Sequence, residues 1–301
     1  MSDFIYINDV GPRDGLQNQT TLLDPSTRIE LIKLLIDAGI PGIEVCSFVN
    51  PKAVPAMSGA KEIVEALDET EGCDISVLVP NMKGYELARD AGATTITVVP
   101  SATETMNQKN INMSLAETME SSTSIIKAAN LDGLKTRAYI SVAWECPFEG
   151  KVPTETVLSI AEQLLESGAQ ELILADTIGA TNPKDVATLF KAVKKVVDVD
   201  ILSAHFHDTR ALGLANVYAA INEGIRKFDA SIGGLGGCPF APGAAGNLAT
   251  EDLASMAAQM GFLTNVNLEK LLIAVDFISK KLGREMGGRM TPWFKKNSQI
   301  H

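Results

Sequence analysis

Short apolar runs rich in Val and Ile alternate with longer stretches of helical spacing along the whole chain. That alternation restricts it to stacked β-α units around a parallel sheet. The strand candidates are residues 4–9, 42–47, 74–79, 95–99, 136–142, 171–175, 201–207 and 228–232, and eight strands are what closes a barrel. The gaps carry helix punctuation. Asp24 can cap a helix whose first position is Pro25, with Ile29, Ile32, Leu35 and Ile36 along one face, and Asn182-Pro183 repeats the signal. Gly39, Gly92, Gly168 and Gly224 each stand where a helix stops before a strand. A doubly wound open sheet is the competing fold. It would show a glycine-rich phosphate loop after the first strand, and Val10-Gly11-Pro12-Arg13-Asp14-Gly15 does not fit that pattern. The expectation is therefore an α/β protein with a closed (β/α)8 TIM barrel of about 250 residues and an additional C-terminal helix.

The chain has 301 residues, 46% hydrophobic and 21% charged, enough to bury a large core. It reads as a single barrel domain over 1–301. Residues 268–282 form the extra helix, and the polar stretch 283–301 is expected to pack loosely. A net charge of −11 without a basic stripe excludes a nucleic-acid partner. No apolar run approaches the ~20 residues that span a bilayer, and the first residues carry no basic or apolar leader. A soluble, cytoplasmic protein with no membrane partner is expected. Cys46, Cys73, Cys146 and Cys238 are irregularly spaced, as in a reduced chain without a disulfide framework.

Apart from the C-terminal His301, histidine occurs only as His205 and His207 at the end of the seventh strand run. Side chains alternate across a strand, so both imidazoles leave on one face, as metal ligands do. Barrel enzymes place their chemistry at the C-terminal ends of strands. There the chain puts Asp9, Arg13, Asp14 and Gln17 after the first strand and Asp176 at the end of the sixth. Glu44 lies inside an apolar strand, where a lone carboxylate is costly to bury. It should face a cation, and Arg13 is the simplest partner. After the eighth strand, residues 233–243 form a glycine-dense stretch carrying Cys238, which reads as a lid with one thiol. Asn247 and Glu251, four apart where a helix begins, can present an amide and a carboxylate on one side. A mixed set of two histidines, an aspartate and an asparagine suits Mg2+ or Mn2+, with zinc open on ligand type alone.

Residues 10–18 (Val-Gly-Pro-Arg-Asp-Gly-Leu-Gln-Asn), His205-Phe206-His207-Asp208-Thr209 and Gly234-Leu235-Gly236-Gly237-Cys238-Pro239 together resemble the 3-hydroxy-3-methylglutaryl-CoA lyase family of the DRE-TIM superfamily. Asn81-x-Lys83-Gly84, Lys109-Asn110-Ile111-Asn112, Asp176-Thr177-Ile178-Gly179 and 246–252 extend the match, which runs from about residue 5 to 282. The resemblance implies a metal-dependent barrel enzyme. It would cleave 3-hydroxy-3-methylglutaryl-CoA to acetoacetate and acetyl-CoA by a retro-Claisen reaction. Carried over by motif, Asp14, His205, His207 and Asn247 would hold a divalent ion, Mg2+ or Mn2+. Arg13 would bind the thioester oxygen and Cys238 would shuttle the proton. Glu44, Asp176 and Glu251 would be the remaining acidic active-site residues. Asp14 and His205 are both candidates for the first base.

Substrate contacts are expected from Arg13, Gln17, Ser47, Tyr139 and Thr177. Lys83 and Lys109, in loops after the third and fourth strands, would meet the polyanionic coenzyme A, with Asn110 beside the substrate. The resemblance implies a small-molecule acyl-CoA as the partner, and it also brings in a homodimer. Three departures bear on the substrate. Ala143-Trp144-Glu145 precedes Cys146-Pro147 where the family has glycine, so bulk and negative charge are expected near the site. Gln19-Thr20 and Arg210-Ala211 also differ. A related substrate such as citramalyl-CoA, a Claisen-condensing acyltransferase of the isopropylmalate or homocitrate synthase type, and a metal-binding scaffold barrel are the alternatives. A cysteine hydrolase built on Cys238 would need a histidine that is not committed to metal.

Overall fold

In the computed structural model, residues 3–67, 72–237 and 246–297 are described. The order is β1 (Tyr6–Asp9), α1 (Pro25–Asp37), β2 (Gly42–Ser47), α2 (Ala60–Glu65), β3 (Asp74–Leu78), α3 (Met82–Asp90), β4 (Thr95–Val98), α4 (Glu104–Ile111), α5 (Leu115–Leu131) and β5 (Lys135–Ile140). A short antiparallel hairpin follows, β6 (Glu145–Cys146) and β7 (Gly150–Lys151). Then come α6 (Thr154–Glu166), β8 (Glu171–Asp176), α7 (Pro183–Val193), β9 (Leu202–Phe206), α8 (Gly213–Asn222), β10 (Lys227–Ala230), α9 (Thr250–Gln259), α10 (Leu268–Leu282) and α11 (Thr291–Asn297). Strands β1, β2, β3, β4, β5, β8, β9 and β10 pair in parallel in that order, and β10 pairs back with β1. This is the closed (β/α)8 barrel expected from the alternation. Each of the eight sequence runs contains or overlaps one barrel strand. Among the described residues no helix is long and apolar enough to cross a membrane.

The helix signals act as local chemistry predicts. Asp24 accepts the backbone N–H of Thr27 at 2.7 Å, and Asn182 accepts those of Lys184 and Asp185 at 3.1 Å each, caps typically worth ~1 kcal/mol. Gly39 turns the chain at φ 81°, and a Cβ there would lie 2.3 Å from the Asn265 carbonyl, so no other residue fits.

Alternation along the strands divides the buried side chains into two sets. One set, including Ile7, Ile43, Ala138, Leu172, Leu174, Ala204, Phe206 and Phe228, belongs to the large apolar core beneath the helices. The other forms a small cluster of Tyr139, Ile173 and Ala175. The rest of the barrel interior is polar rather than filled with branched aliphatics. Arg137 bonds Glu171 at 3.0 Å and Asp229 at 3.2 Å, Ser203 donates to Glu171 at 2.6 Å, and Asn8 donates to Asp229 at 2.8 Å.

The C-terminal segment departs from expectation. Instead of packing loosely, it docks on the first turn of α9. The backbone N–H of Gly288 donates to Glu251 at 2.6 Å, and those of Arg289 and Met290 donate to Asp252 at 2.7 and 2.9 Å. Polar composition is compatible with tight packing when the partners are carboxylates aimed at backbone amides.

Candidate active site

The first constituent of the site comes from a five-residue π-helical turn, Gly11–Gly15, directly after β1. Such turns break the regular ladder and often sit at functional sites. Its tight course needs Gly15, where a Cβ would lie 2.8 Å from Leu235 Cβ and 2.9 Å from Ser231 Oγ. The turn aims Arg13 and Asp14 at the C-terminal rim of the barrel. Arg13 Nε donates to Glu44 on β2 and its Nη1 donates to Asp14 at 2.8 Å. Glu44 is completely buried and meets the cation that its place in an apolar strand demanded. Burial weakens the guanidinium's hold on its proton, but the carboxylates of Glu44 and Asp14 outweigh it and keep Arg13 charged.

His205 lies on β9 and His207 just beyond it, with ring centroids 5.1 Å apart. Asn247 is delivered by backbone pairing, since residue 247 forms an antiparallel bridge with His207 and the Asp208 N–H donates to the Gly246 carbonyl at 2.9 Å. Its amide Nδ2 donates to Asp14 at 2.8 Å and to the Leu235 carbonyl at 3.1 Å. The amide is thereby turned so that Oδ1 is buried without a partner.

Ligand atoms of Asp14, His205 and His207 all lie within 4.8 Å of one another, and this cluster can hold a metal ion. The orphaned atoms fit that use. His207 Nδ1 and Asn247 Oδ1 are both buried acceptors with nothing to bond, a costly condition that a cation relieves. Burial and the neighbouring His205 push His207 down to about 3, so its imidazole is neutral, the state a ligand needs. Burial favours protonated Asp14, but the charge of Arg13, with the hydrogen bond from Asn247, prevails and holds it below its ordinary value as a carboxylate.

A cleft of about 180 Å³ opens over this cluster. Arg13, Asp14, Gln17, Asn110, Tyr139, Thr177, His205 and His207 line it, with Val54, Leu78, Val99 and Met106 supplying apolar wall. Asn18 Nδ2 donates to the Gly237 carbonyl at 3.1 Å, joining the segment after the π-turn to the glycine stretch. Cys238 falls outside the described residues.

Other sequence candidates are placed elsewhere. Asp9 accepts from the Gly11 N–H at 2.8 Å and from Thr250 Oγ1 at 2.6 Å, tying β1 to α9. Asp176 accepts the N–H groups of Ala180 and Thr181 and so closes the loop after β8; burial raises it to about 6. Ser47 is buried with an unpaired hydroxyl and does not line the cleft. Glu251 does not share a side with Asn247, because α9 begins only at Thr250 and Asn247 is still in extended pairing. Its carboxylate accepts from the Gly233 N–H at 3.1 Å and from Gly288. Lys83 and Lys109 sit on helices α3 and α4 rather than in loops, exposed and outside the cleft lining.

Trp144 corrects a further expectation. Its ring is buried against Phe190 and Phe206, with centroids 6.1 and 5.8 Å away, and its Nε1 donates to the Asp185 carbonyl at 3.2 Å. Trp144 and Glu145 therefore line an outer groove, not the cleft. Gln19 likewise turns to Arg284 at 2.6 Å, and Arg210 to the Ala180 carbonyl at 3.1 Å.

Two residues at the heart of the site escaped the sequence reading. Asp229 accepts from Tyr139 OH and faces His205 Nδ1 at 3.1 Å, while Arg137 bonds Asp229 from below. The argument that singled out Glu44, a charge inside an apolar strand, applies equally to Arg137 and Asp229 and would have found both.

The HMGL-like family model matches residues 4–278. A hydroxymethylglutaryl-CoA lyase of Bacillus subtilis is 43% identical over 97% of this chain and 98% of its own. The crystal structure of the Bacillus subtilis HMG-CoA lyase superposes with a TM-score of 0.95, covering 98% of this chain and 100% of that one at 43% identity. An HMG-CoA lyase of Acinetobacter baumannii, solved in complex with coenzyme A and 3-methylmalate, gives a TM-score of 0.93 at 36% identity over 97% of this chain and 95% of its own. With the fold, the rim cluster and near full-length likeness in agreement, the chain belongs to the HMGL-like family, in its hydroxymethylglutaryl-CoA lyase branch.

Proposed function

We propose that this protein is a carbon-carbon lyase that cleaves 3-hydroxy-3-methylglutaryl-CoA to acetoacetate and acetyl-CoA, with Mg2+ or Mn2+ held by Asp14, His205, His207 and Asn247. The observation that carries the reading is the convergence of those four residues beside Arg13 under one cleft. The likeness to hydroxymethylglutaryl-CoA lyases along nearly the whole chain supports it. The relative solved with coenzyme A supports an acyl-CoA as the small-molecule partner.

The chemistry follows from the residues. When bound, the cation supplies positive charge that makes the C3 hydroxyl of the substrate more acidic. Asp14 is the basic group left to take its proton, since His205, which also lines the cleft, faces Asp229 through Nδ1 and would give its other nitrogen to the ion. As the C2–C3 bond breaks, the keto acid forms and the electron pair passes into the thioester as an enolate. Arg13 meets that oxygen. Glu44 and Asp14 hold its Nε and Nη1, and no bond occupies its Nη2 among the described residues. A preorganised donor of this kind typically contributes ~3 kcal/mol. Cys238 is assigned the final step, protonating the enolate carbon. The outward placement of Trp144 and Glu145 removes the reason to expect a different acyl chain.

The test is a panel of CoA thioesters with metal-depleted and metal-restored protein, products identified by mass. Acetoacetate and acetyl-CoA in equal amounts from 3-hydroxy-3-methylglutaryl-CoA, only after Mg2+ or Mn2+ is restored, is the expected result. Metal binding without cleavage of any thioester overturns it.

A further inference from the structure

We infer that Asp229 is a positioning residue for the cation site. Its carboxylate fixes His205 in the tautomer that carries the proton on Nδ1, leaving Nε2 to the ion. The inference rests on the reading of Asp14, His205, His207 and Asn247 as that site. Asp229 and His205 are register partners on β10 and β9, and Nδ1 stands 3.1 Å from Asp229 Oδ2. A ring nitrogen beside a carboxylate donates to it, so the lone pair is left on the opposite nitrogen.

The carboxylate of Asp229 has no capacity for any other task. Oδ1 accepts from Asn8 Nδ2 at 2.8 Å and from Arg137 Nη2 at 3.2 Å, and Oδ2 accepts from Tyr139 OH besides His205. A carboxylate offers about four acceptor positions, and all four are taken. Its side chain is fully buried, so neither substrate nor ion reaches it. The groups that hold it come from β1, β5 and β9, and Arg137 is itself anchored by Glu171 at 3.0 Å. The imidazole is therefore oriented by the barrel wall before any ion arrives. His207 differs, because its Nδ1 has no partner.

The experiment measures Mn2+ binding to the full chain by electron paramagnetic resonance, for the unsubstituted protein, Asp229→Ala and Asp229→Asn. Removing such an outer partner is expected to weaken Mn2+ binding on the order of 10–100-fold, and Asp229→Asn, which keeps an acceptor oxygen for Nδ1–H, is expected to recover most of it. An Asp229→Ala protein with unchanged circular dichroism and unchanged Mn2+ affinity overturns the inference alone. An unsubstituted protein that binds no Mn2+ overturns the cation-site reading and this inference with it. Should Asp229→Ala not fold, ¹⁵N NMR of the unsubstituted protein decides. A proton on His205 Nδ1 and a Mg2+-induced shift at Nε2 are expected, and the reverse assignment overturns the inference.

Discussion

Arg13 and Glu44 form an ion pair across 31 residues of sequence, with Glu44 wholly buried and the Arg13 side chain 8% exposed at the cleft. The pair joins the turn after β1 to the interior of β2 and leaves Nη2 of the guanidinium without a bond among the described residues, at the cleft that Arg13 lines. Arg13→Met strands Glu44 without a counter-charge, and is expected to lower the unfolding free energy by about 3–5 kcal/mol in urea titrations. Arg13→Lys keeps the charge but not the planar fork. It should recover much of that stability while turnover stays roughly 100-fold or more below the unsubstituted enzyme. Equal turnover in Arg13→Lys would remove Arg13 from the oxyanion role.

Asp9 gives the fold a pH dependence. Burial raises its carboxyl to about 7 against the hydrogen bonds from Thr250 and Gly11, whereas in an unfolded chain it titrates near ~3.9. The folded state holds this proton more tightly, so the contribution is complete below about pH 4 and is lost as pH rises to about 7. Asp9→Asn cannot ionise. Its stability relative to the unsubstituted protein should climb across pH 4–7, on the order of a few kcal/mol, and then level off. Parallel urea midpoints across that window would show that Asp9 does not titrate there.

Trp144 is a core residue rather than a wall of the cleft. Trp144→Ala should destabilise the protein by about 3–5 kcal/mol. Below its unfolding transition, KM for the acyl-CoA should stay within about two-fold of the unsubstituted value, since the lost packing energy lies outside the cleft. A selective change in KM, or a switch of preferred thioester, would put the ring back beside the substrate.

Gly288 marks where the C-terminal segment presses on α9. A Cβ there would lie 2.4–2.6 Å from the Asp252 carboxyl group, which holds the Arg289 and Met290 amides. Gly288→Ala is expected to cost about 1–3 kcal/mol by overpacking. Faster hydrogen exchange should appear at Arg289 and Met290 and not in the barrel strands. Unchanged protection at those amides would show that the carboxylate can step aside.

Much of this molecule is legible from short stretches of chain. The eight barrel strands follow from runs of branched residues, and the helix starts from Asp24 and Asn182. His205 and His207 share a face because a period of two is a property of any extended segment. Asp14 and Arg13 were legible through their motif at a strand end. The less legible contacts depend on distance and on register. Lys83 and Lys109 turned out to be helical and outside the cleft, although Asn110, next to Lys109, lines it, because adjacent helix positions point about 100° apart.

The barrel and the identity of the groups at its rim are local properties of the chain, since periodicity, caps and strand-end position are set by neighbours within a few residues. Long-range packing places Asp229 behind His205, turns Glu251 to the C-terminal segment and faces Trp144 to the helices. Those outcomes depend on closing the sheet, because the register between β9 and β10 and the inward or outward direction of a loop residue are fixed only once all eight strands are in place.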